Sequence, residues 1–141
     1  MKRRAPTNTS PPAKHAPPRA ATSRSVTDRL ADVAEFIRLR VLRILEHEEF
    51  SVGEIAQIVQ LPQSTVSRHL KILADGHWLA RRTAGTATLY RLVLDDLTTE
   101  SRSLWLAIRD QLPSGGDLAE DSRRLAAVLA QRDADPQAFF G

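Results

Sequence analysis

The chain has 141 residues, no cysteine and a formal net charge of +3 at pH 7. This length suits one compact core with tails, and 42% hydrophobic with 26% charged residues is ordinary for a soluble globular protein. The lack of cysteine excludes disulfides, thiolate zinc sites, iron–sulfur clusters and cysteine nucleophiles, and no apolar run approaches the roughly 20 residues of a membrane span. We therefore expect a cytoplasmic protein with no membrane partner.

Positive charge is concentrated in two segments. Residues 1–25 hold six Lys/Arg and no acid, and residues 63–92 hold five Lys/Arg against one acid, whereas the other segments are net acidic. A basic surface on an acidic body is typical of proteins that contact phosphates. A solvated charged face explains the first segment equally well.

The first basic segment is also rich in proline. Residues 1–25 contain five of the eight prolines and few apolar side chains larger than alanine. Such a segment buries too little surface to offset its ordering entropy. We predict that it is a disordered basic tail.

An amphipathic pattern then predicts the first helical region. Apolar residues follow the i, i+3, i+4, i+7 spacing of one helix face: Leu30, Val33, Ala34, Ile37, Val41, Ile44 and Leu45. Thr27 or Asp28 is the expected N-cap. One long helix and two abutting helices fit this pattern equally well.

Two short helices are predicted next. Ser51-x-x-Glu54 has the spacing of a capping box and opens a helix that runs through Val59. Pro62 interrupts the pattern, and the second helix covers about residues 63–74. It ends at Asp75-Gly76, where we expect a left-handed glycine cap.

The remaining sequence predicts a hairpin and two more helices. Residues 78–82 and 86–92 flank a turn at Gly85, which is typical of a β-hairpin. A helix from Leu94 or Asp96 presents Leu97, Leu104, Trp105, Ile108 and Leu112 on one face and stops at residues 113–116. A last helical piece spans roughly residues 118–132.

This order of elements predicts a mainly α fold with a small β-hairpin wing, a winged helix-turn-helix. Its domain covers residues 26–112, and residues 113–141 form a linker and a C-terminal helix. Ala56 provides a small side chain where the two short helices cross. Their shared core is predicted to contain Ile55, Val59, Leu61, Val66 and Leu70.

The outer face of the second short helix is polar and free of acids. It contains Gln63, Ser64, Thr65, Ser67, Arg68, His69 and Lys71. Gln and Arg side chains bond purine edges bidentately, Ser and Thr adapt to bases or phosphates, and a lysine suits a phosphate. Any soluble helix has polar residues outside, but the preceding short helix and the basic hairpin favour double-stranded DNA as the partner.

The hairpin contributes further basic residues. Arg81, Arg82 and Arg91 are expected beside the DNA backbone or the minor groove. For Arg91, an ion pair with an acid of the protein body is equally expected. Ser51, at the start of the first short helix, completes the predicted DNA-binding set.

Three segments resemble the ArsR/SmtB family of bacterial repressors: Ser-Val-Gly-Glu-Ile-Ala at 51–56, Leu-Pro-Gln-Ser-Thr-Val-Ser-Arg-His-Leu-Lys-Ile-Leu at 61–73, and Leu-Tyr-Arg-Leu at 89–92. The resemblance covers about residues 28–112. It implies a homodimer whose two recognition helices meet successive major grooves of a palindromic operator. It assigns to the dimer face Leu30, Val33, Leu97, Leu104, Trp105 and Ile108, although these residues could instead only complete the monomer core.

The sequence departs from that family in its metal ligands. Many members bind metals through cysteines near residues 51–54 or through His and carboxylates on the last helix, but this chain has no cysteine and residues 94–112 have no histidine. The four histidines, His15, His47, His69 and His77, share no i, i+4 spacing. We expect neither a cysteine-based metal sensor nor a bound metal.

We therefore predict a sequence-specific DNA-binding transcriptional regulator acting as a dimeric repressor. No Gly-rich loop or catalytic constellation is present, so we expect neither enzyme activity nor a cofactor. The sequence does not identify an effector ligand. Because residues 118–141 resemble the linker that joins some relatives to an S-adenosylmethionine-dependent methyltransferase, an alternative is the separated regulatory half of such a fusion; another is a protein-interaction module.

Overall fold

The computed structural model describes residues 24–134. Almost all of the predicted tail, 1–25, and the last residues of the predicted C-terminal segment lie outside the described residues. Within the described part, no helix combines the length and the apolar character needed to cross a bilayer.

The first helical region forms two helices, α1 (Val26–Val33) and α2 (Phe36–His47). The chain is extended at Glu35 between them. The N-cap of α1 is Ser25, and not Thr27 or Asp28 as predicted. The Ser25 hydroxyl accepts from the Asp28 amide at 3.1 Å, and the Asp28 carboxylate accepts from the Ser25 amide at 3.2 Å. Asp28 is thus the distal member of a capping box rather than the cap itself.

The two short helices are α3 (Val52–Val59) and α4 (Gln63–Asp75), and the predicted capping box is present. The Ser51 hydroxyl accepts from the Glu54 amide at 3.3 Å, and Glu54 Oε1 accepts from the Ser51 amide at 2.9 Å. Between the helices, Gln60 has φ 59° in the left-handed region, where glycine is usual.

The predicted left-handed glycine cap of α4 is wrong. Gly76 has φ −83°, and His77, with φ 64°, makes the turn instead. Gly76 is needed for another reason: a Cβ there would overlap the carboxylate of Asp32. That carboxylate accepts from the indole of Trp78 at 3.0 Å, so the absence of a side chain lets α1 approach the end of α4.

The wing is a three-stranded antiparallel sheet in the order β1-β3-β2. Its strands are β1 (Phe50–Ser51), β2 (Ala80–Ala84) and β3 (Ala87–Arg91). The hairpin and its turn at Gly85, with φ 62°, were predicted from the sequence. Strand β1 was not, because two residues are too few to show a period-two alternation.

After the wing, a 3₁₀ turn (Leu94–Asp96) precedes α5 (Thr99–Arg109). The predicted helix start at Leu94 or Asp96 is wrong, because Leu97 is extended and Thr98 is the N-cap, accepting from the Ser101 amide at 3.1 Å. The last helix, α6 (Asp117–Ala134), is slightly longer than predicted.

Helix α6 is part of the folded core. It packs on α2 and α3 with Leu118, Leu125 and Val128 buried. Asp121 is fully buried and accepts two hydrogen bonds of 2.8 Å from the guanidinium of Arg40 on α2. These bonds raise the pKa of Arg40 above its usual range.

The same part of α6 contacts the C-terminal end of α3. Nη2 of Arg40 donates to the carbonyl of Val59 at 2.9 Å, and Nε of Arg124 donates to the carbonyl of Ile58 at 2.5 Å. These carbonyls have no partner within α3, because the helix ends there. Charged donors from two neighbouring helices therefore fix the end of α3.

Arg132, near the other end of α6, binds the start of α3. Its guanidinium donates to Glu54 Oε1 at 2.9 Å and to the carbonyl of Glu49 at 2.7 Å, and it lies 4.9 Å from the ring centre of Phe50. Glu54 is the carboxylate of the capping box. Helix α6 is therefore tied to both ends of the first helix of the helix-turn-helix.

The buried pair gives a stability prediction. Asp121→Ala leaves Arg40 without its carboxylate in a buried site and should lower the free energy of unfolding by about 3–5 kcal/mol. Urea unfolding followed by circular dichroism measures this loss. The control is Glu120→Gln, which alters a neighbouring exposed acid that pairs with Arg123. It should change the free energy of unfolding little. Equal stability of the two variants would contradict this account.

Candidate nucleic-acid interface

The two helices α3 and α4 pack through a shared apolar interface. The side chains of Ile55, Val59, Val66 and Leu70 are buried, as predicted, and Leu61 is half-buried against them. Ala56, 9% exposed, belongs to the same buried cluster. This packing fixes which face of α4 is turned outward.

Most of the predicted contact residues lie on that outward face. Gln63, Ser64, Ser67, Arg68 and Lys71 are exposed, and Thr65 is half-buried. No acidic side chain occurs on α4 before Asp75, which pairs with Lys71 at 3.1 Å. Because both groups of this pair are highly exposed, the pair is weak and Lys71 remains able to bind a phosphate.

The first turn of α4 adds backbone donors to this face. Its N-cap is Pro62, which has no side-chain hydrogen bond to the helix. The amides at the start of a helix have no partner within the helix and attract anions. Gln63 extends over Gly53, where a Cβ would lie 3.5 Å from its Nε2 atom.

His69 does not lie on the outward face, so its prediction as a DNA contact needs correction. It is only 4% exposed, because it shares the inward stripe of Val66 and Leu73 at helical spacing. Its Nδ1 atom lies 3.1 Å from Nη1 of Arg38. Burial lowers the pKa of His69, and the cations Arg38 and Arg68 lower it further.

Arg38 connects this histidine to α1. Its guanidinium donates to the carbonyls of Asp32 at 2.6 Å and Ala31 at 3.2 Å, at the end of α1. With Nδ1 of a neutral His69 as acceptor, Arg38 joins α1 to the middle of α4. Sequence reasoning did not find this role, since a single arginine on an amphipathic helix gives no signal of its partner.

Two of the three wing arginines are paired with acids. Arg82 donates to Glu49 with Nε at 2.9 Å from Oε1, which lowers the pKa of Glu49. Arg91 lies 3.4 Å from Glu48. This ion pair confirms the predicted alternative to a DNA contact. Arg81 is exposed and makes no ion pair with any described residue. The positive charge that the wing offers is therefore concentrated at Arg81.

Ser51, which we included in the DNA-binding set, is half-buried and uses its hydroxyl oxygen as the cap of α3. Ser51 therefore caps α3. Its hydroxyl hydrogen can still donate a hydrogen bond, and its contact with DNA stays a prediction.

The six residues predicted for a dimer face do not share one surface. Val33, Leu97 and Trp105 are buried in the chain itself, and the Trp105 indole donates to Glu46 at 2.8 Å. These three residues complete the monomer core, which was the predicted alternative to a dimer face. Leu104 and Ile108 are half-buried, and Leu30 is 44% exposed.

Two more apolar side chains are exposed, and sequence reasoning missed both. Val26 lies one helical turn before Leu30 on α1, and Phe36 begins α2. The i, i+4 spacing of Val26 and Leu30 was the available signal.

In residues 24–134, no three His, Asp or Glu side chains lie close enough together to hold a metal ion.

A helix-turn-helix followed by a β-hairpin, with β1 from the segment before α3 as the third strand of the sheet, defines a winged helix-turn-helix protein. Residues 37–75, which include all of α3 and α4, match the model of the bacterial regulatory proteins of the arsR family. No curated protein sequence matches the chain.

Solved structures show the same fold. Reduced HlyU from Vibrio cholerae is 27% identical, with a TM-score of 0.51 over 60% of this chain and 84% of that one. The transcriptional repressor BigR from Xylella fastidiosa is also 27% identical, with a TM-score of 0.51 over 60% of this chain and 80% of that one. A homodimeric winged helix-turn-helix DNA-binding domain from Mycobacterium bovis is 24% identical, with a TM-score of 0.54 over 74% of this chain and 96% of that one.

These findings confirm the predicted resemblance and the predicted fold. The chain has a winged helix-turn-helix fold, and its residues 37–75 are similar to the arsR family of bacterial regulatory proteins, which supports a DNA-binding transcriptional regulator.

The buried His69 predicts a pH dependence of stability. Its pKa in the folded chain is below the ordinary value of 6.5, so the unfolded chain takes up the proton first as the pH falls. The free energy of unfolding should be highest above about pH 7.5, decline as the pH falls through the ordinary histidine range, and level off once folded His69 is also protonated. Urea unfolding at several pH values measures this.

His69→Gln should remove most of this decline, whereas His77→Gln, which changes an exposed histidine, should retain it. A His69→Gln variant with the full pH dependence of the unchanged chain would show that other groups cause it.

Proposed function

We propose that this protein is a sequence-specific repressor that reads the major groove with the outward face of α4 and acts as a homodimer. The observation that carries the proposal is the exposed, acid-free set of donors on α4, fixed in position by a fully buried opposite face. A rigid helix with adaptable polar side chains is the element that fits a major groove.

Each exposed side chain suits a particular contact. Arg68 has no ion pair within the described chain, so its guanidinium is available to bond the O6 and N7 atoms of guanine. Gln63, on the first turn, can bond adenine in the same bidentate manner. Lys71 and Arg81 suit phosphates on either side, where they contribute affinity rather than sequence preference.

Two observations support a homodimer. Val26 and Leu30 expose an apolar strip on α1 that nothing in the described chain covers. The M. bovis domain with this fold is described as homodimeric. A two-fold dimer would place its two α4 helices in successive major grooves, about 34 Å apart, and therefore read a palindromic site.

Repression follows by occlusion, since a dimer bound across a promoter blocks access to it. BigR, which is similar in sequence and fold, is described as a repressor. A cysteine-based metal signal does not fit this chain, which contains no cysteine. Any signal must therefore act through other side chains, and it must bind the DNA-bound and free states differently.

The test begins with a duplex selected from a random pool by the purified protein at near-physiological salt. Arg68→Ala should weaken binding to that duplex by about 1–3 kcal/mol and relax the base preference at one position of each half-site. Fluorescence anisotropy gives the affinity, and a repeated selection gives the preference. Arg123→Ala, which removes an exposed arginine of α6, is the matched control and should leave both unchanged.

Arg81→Ala should act differently from Arg68→Ala. It should weaken binding to all sequences alike, because a phosphate contact carries no sequence information. It should also lower the number of counterions released on binding, read from the salt dependence of the affinity, by about one. If Arg68→Ala kept the full base preference, or if no preferred duplex emerged, base reading by α4 would be refuted.

A further inference from the structure

A cleft of about 550 Å³ lies between α2 and α6. Its volume is within the range of about 300–1,000 Å³ that is usual for small-molecule sites. The cleft is lined by Arg43, Ile44, Glu46 and His47 from α2 and by Ser122, Leu125 and Ala126 from α6.

The cleft contains a cation whose charge no acid neutralises. Nη2 of Arg43 donates to the Ser122 hydroxyl at 2.9 Å, and Nη1 donates to the Leu118 carbonyl at 3.3 Å. Both partners are neutral, and Arg43 makes no ion pair with any described residue. Arg40, almost one helical turn earlier on α2, instead has the carboxylate of Asp121.

The one acid that lines the cleft is already paired. Glu46 accepts from the Trp105 indole at 2.8 Å and from Arg109 at 2.5 Å, so its charge is compensated from the side of α5. His47 adds a ring nitrogen that can donate or accept. The polar side of the cleft therefore favours an anion that can displace the neutral partners of Arg43.

The other walls are apolar. Ile44 is fully buried beneath the cleft, Leu125 is 7% exposed and Ala126 is exposed. An inorganic anion would leave Ala126 and the exposed edge of Leu125 uncovered. A guanidinium beside apolar walls matches a carboxylate attached to a hydrocarbon or aromatic body.

We infer that this cleft binds a small organic carboxylate with an apolar body, which acts as the effector of the proposed repressor. The carboxylate bonds Arg43 in place of Ser122 and Leu118, and the apolar body covers Ala126 and the exposed edge of Leu125. The effector role, but not the binding itself, rests on the proposed function.

The contacts of α6 explain how such a ligand changes DNA binding. The bonds that Arg43 loses hold the first turns of α6, and the same turns bring Asp121 and Arg124 to the C-terminal end of α3. That end leads directly into the turn before α4. A ligand that loosens α6 therefore favours a state in which α4 is less firmly held.

Binding is tested without DNA, with octanoate as the anionic probe and 1-octanol as its neutral counterpart. Isothermal titration of the full chain should give one octanoate site per chain and at least about tenfold weaker binding of 1-octanol, in line with a charge-assisted hydrogen bond. Arg43→Met, which keeps the length of the side chain, should weaken octanoate by a similar factor. Ala126→Trp should abolish binding by filling the cleft.

Arg123→Met, on the solvent side of α6, is the control and should bind octanoate as the unchanged chain does; circular dichroism verifies the fold of each variant. Equal binding of octanoate and 1-octanol, or octanoate binding that survives both cleft variants, would overturn the site. Self-association that Ala126→Trp abolishes would also overturn it, since a second copy of the chain would then occupy the cleft.

The effector role is tested with the selected duplex. Octanoate should weaken DNA binding several-fold in the unchanged chain and have no effect in Arg43→Met. Saturated octanoate binding with unchanged DNA affinity would overturn the effector role alone. Failure of the proposed function would instead leave no preferred duplex, whatever octanoate does.

Discussion

The guanidinium of Arg40 donates to both carboxylate oxygens of the buried Asp121 and to the carbonyl of Val59. These bonds join α2, α6 and the end of α3 at a point where water has little access, so the charges must be satisfied by one another. Arg124 strengthens the same junction through the carbonyl of Ile58. Because α3 supports α4, the orientation of the DNA-reading face depends on a helix that lies outside the helix-turn-helix itself.

The sequence predicted the parts of this fold that arise from local rules. The capping box at Ser51 and Glu54, the hairpin at Gly85 and the inward positions Val66 and Leu70 follow from spacing alone, and the structure contains them. The errors arose where tertiary contacts decide. Gly76 is required by the approach of α1 rather than by its own backbone angle, and the ring of His69, on the inward stripe of α4, has its partner Arg38 on another helix.

The distribution of charge could not be predicted from the sequence either, because it too depends on tertiary contacts. The sequence marked Arg68, Arg81, Arg82 and Arg91 as basic contacts, but only the first two are without an acid in the described chain. An ion pair between residues far apart in the sequence, such as Arg82 with Glu49, cannot be read from spacing. Of these four arginines, the pairing leaves one free of acids on α4 and one on the wing; on α2, Arg43 likewise has neutral partners.

The most direct test of the central claim is a titration of the ¹⁵N-labelled protein with a duplex of random sequence, followed by amide chemical shifts at near-physiological salt. If α4 is the DNA-contacting element, the largest shifts should lie at its first two turns, from Gln63 to His69, and around Arg81 on the wing. Shifts concentrated on α6, or distributed over all basic residues without regard to α4, would contradict the account.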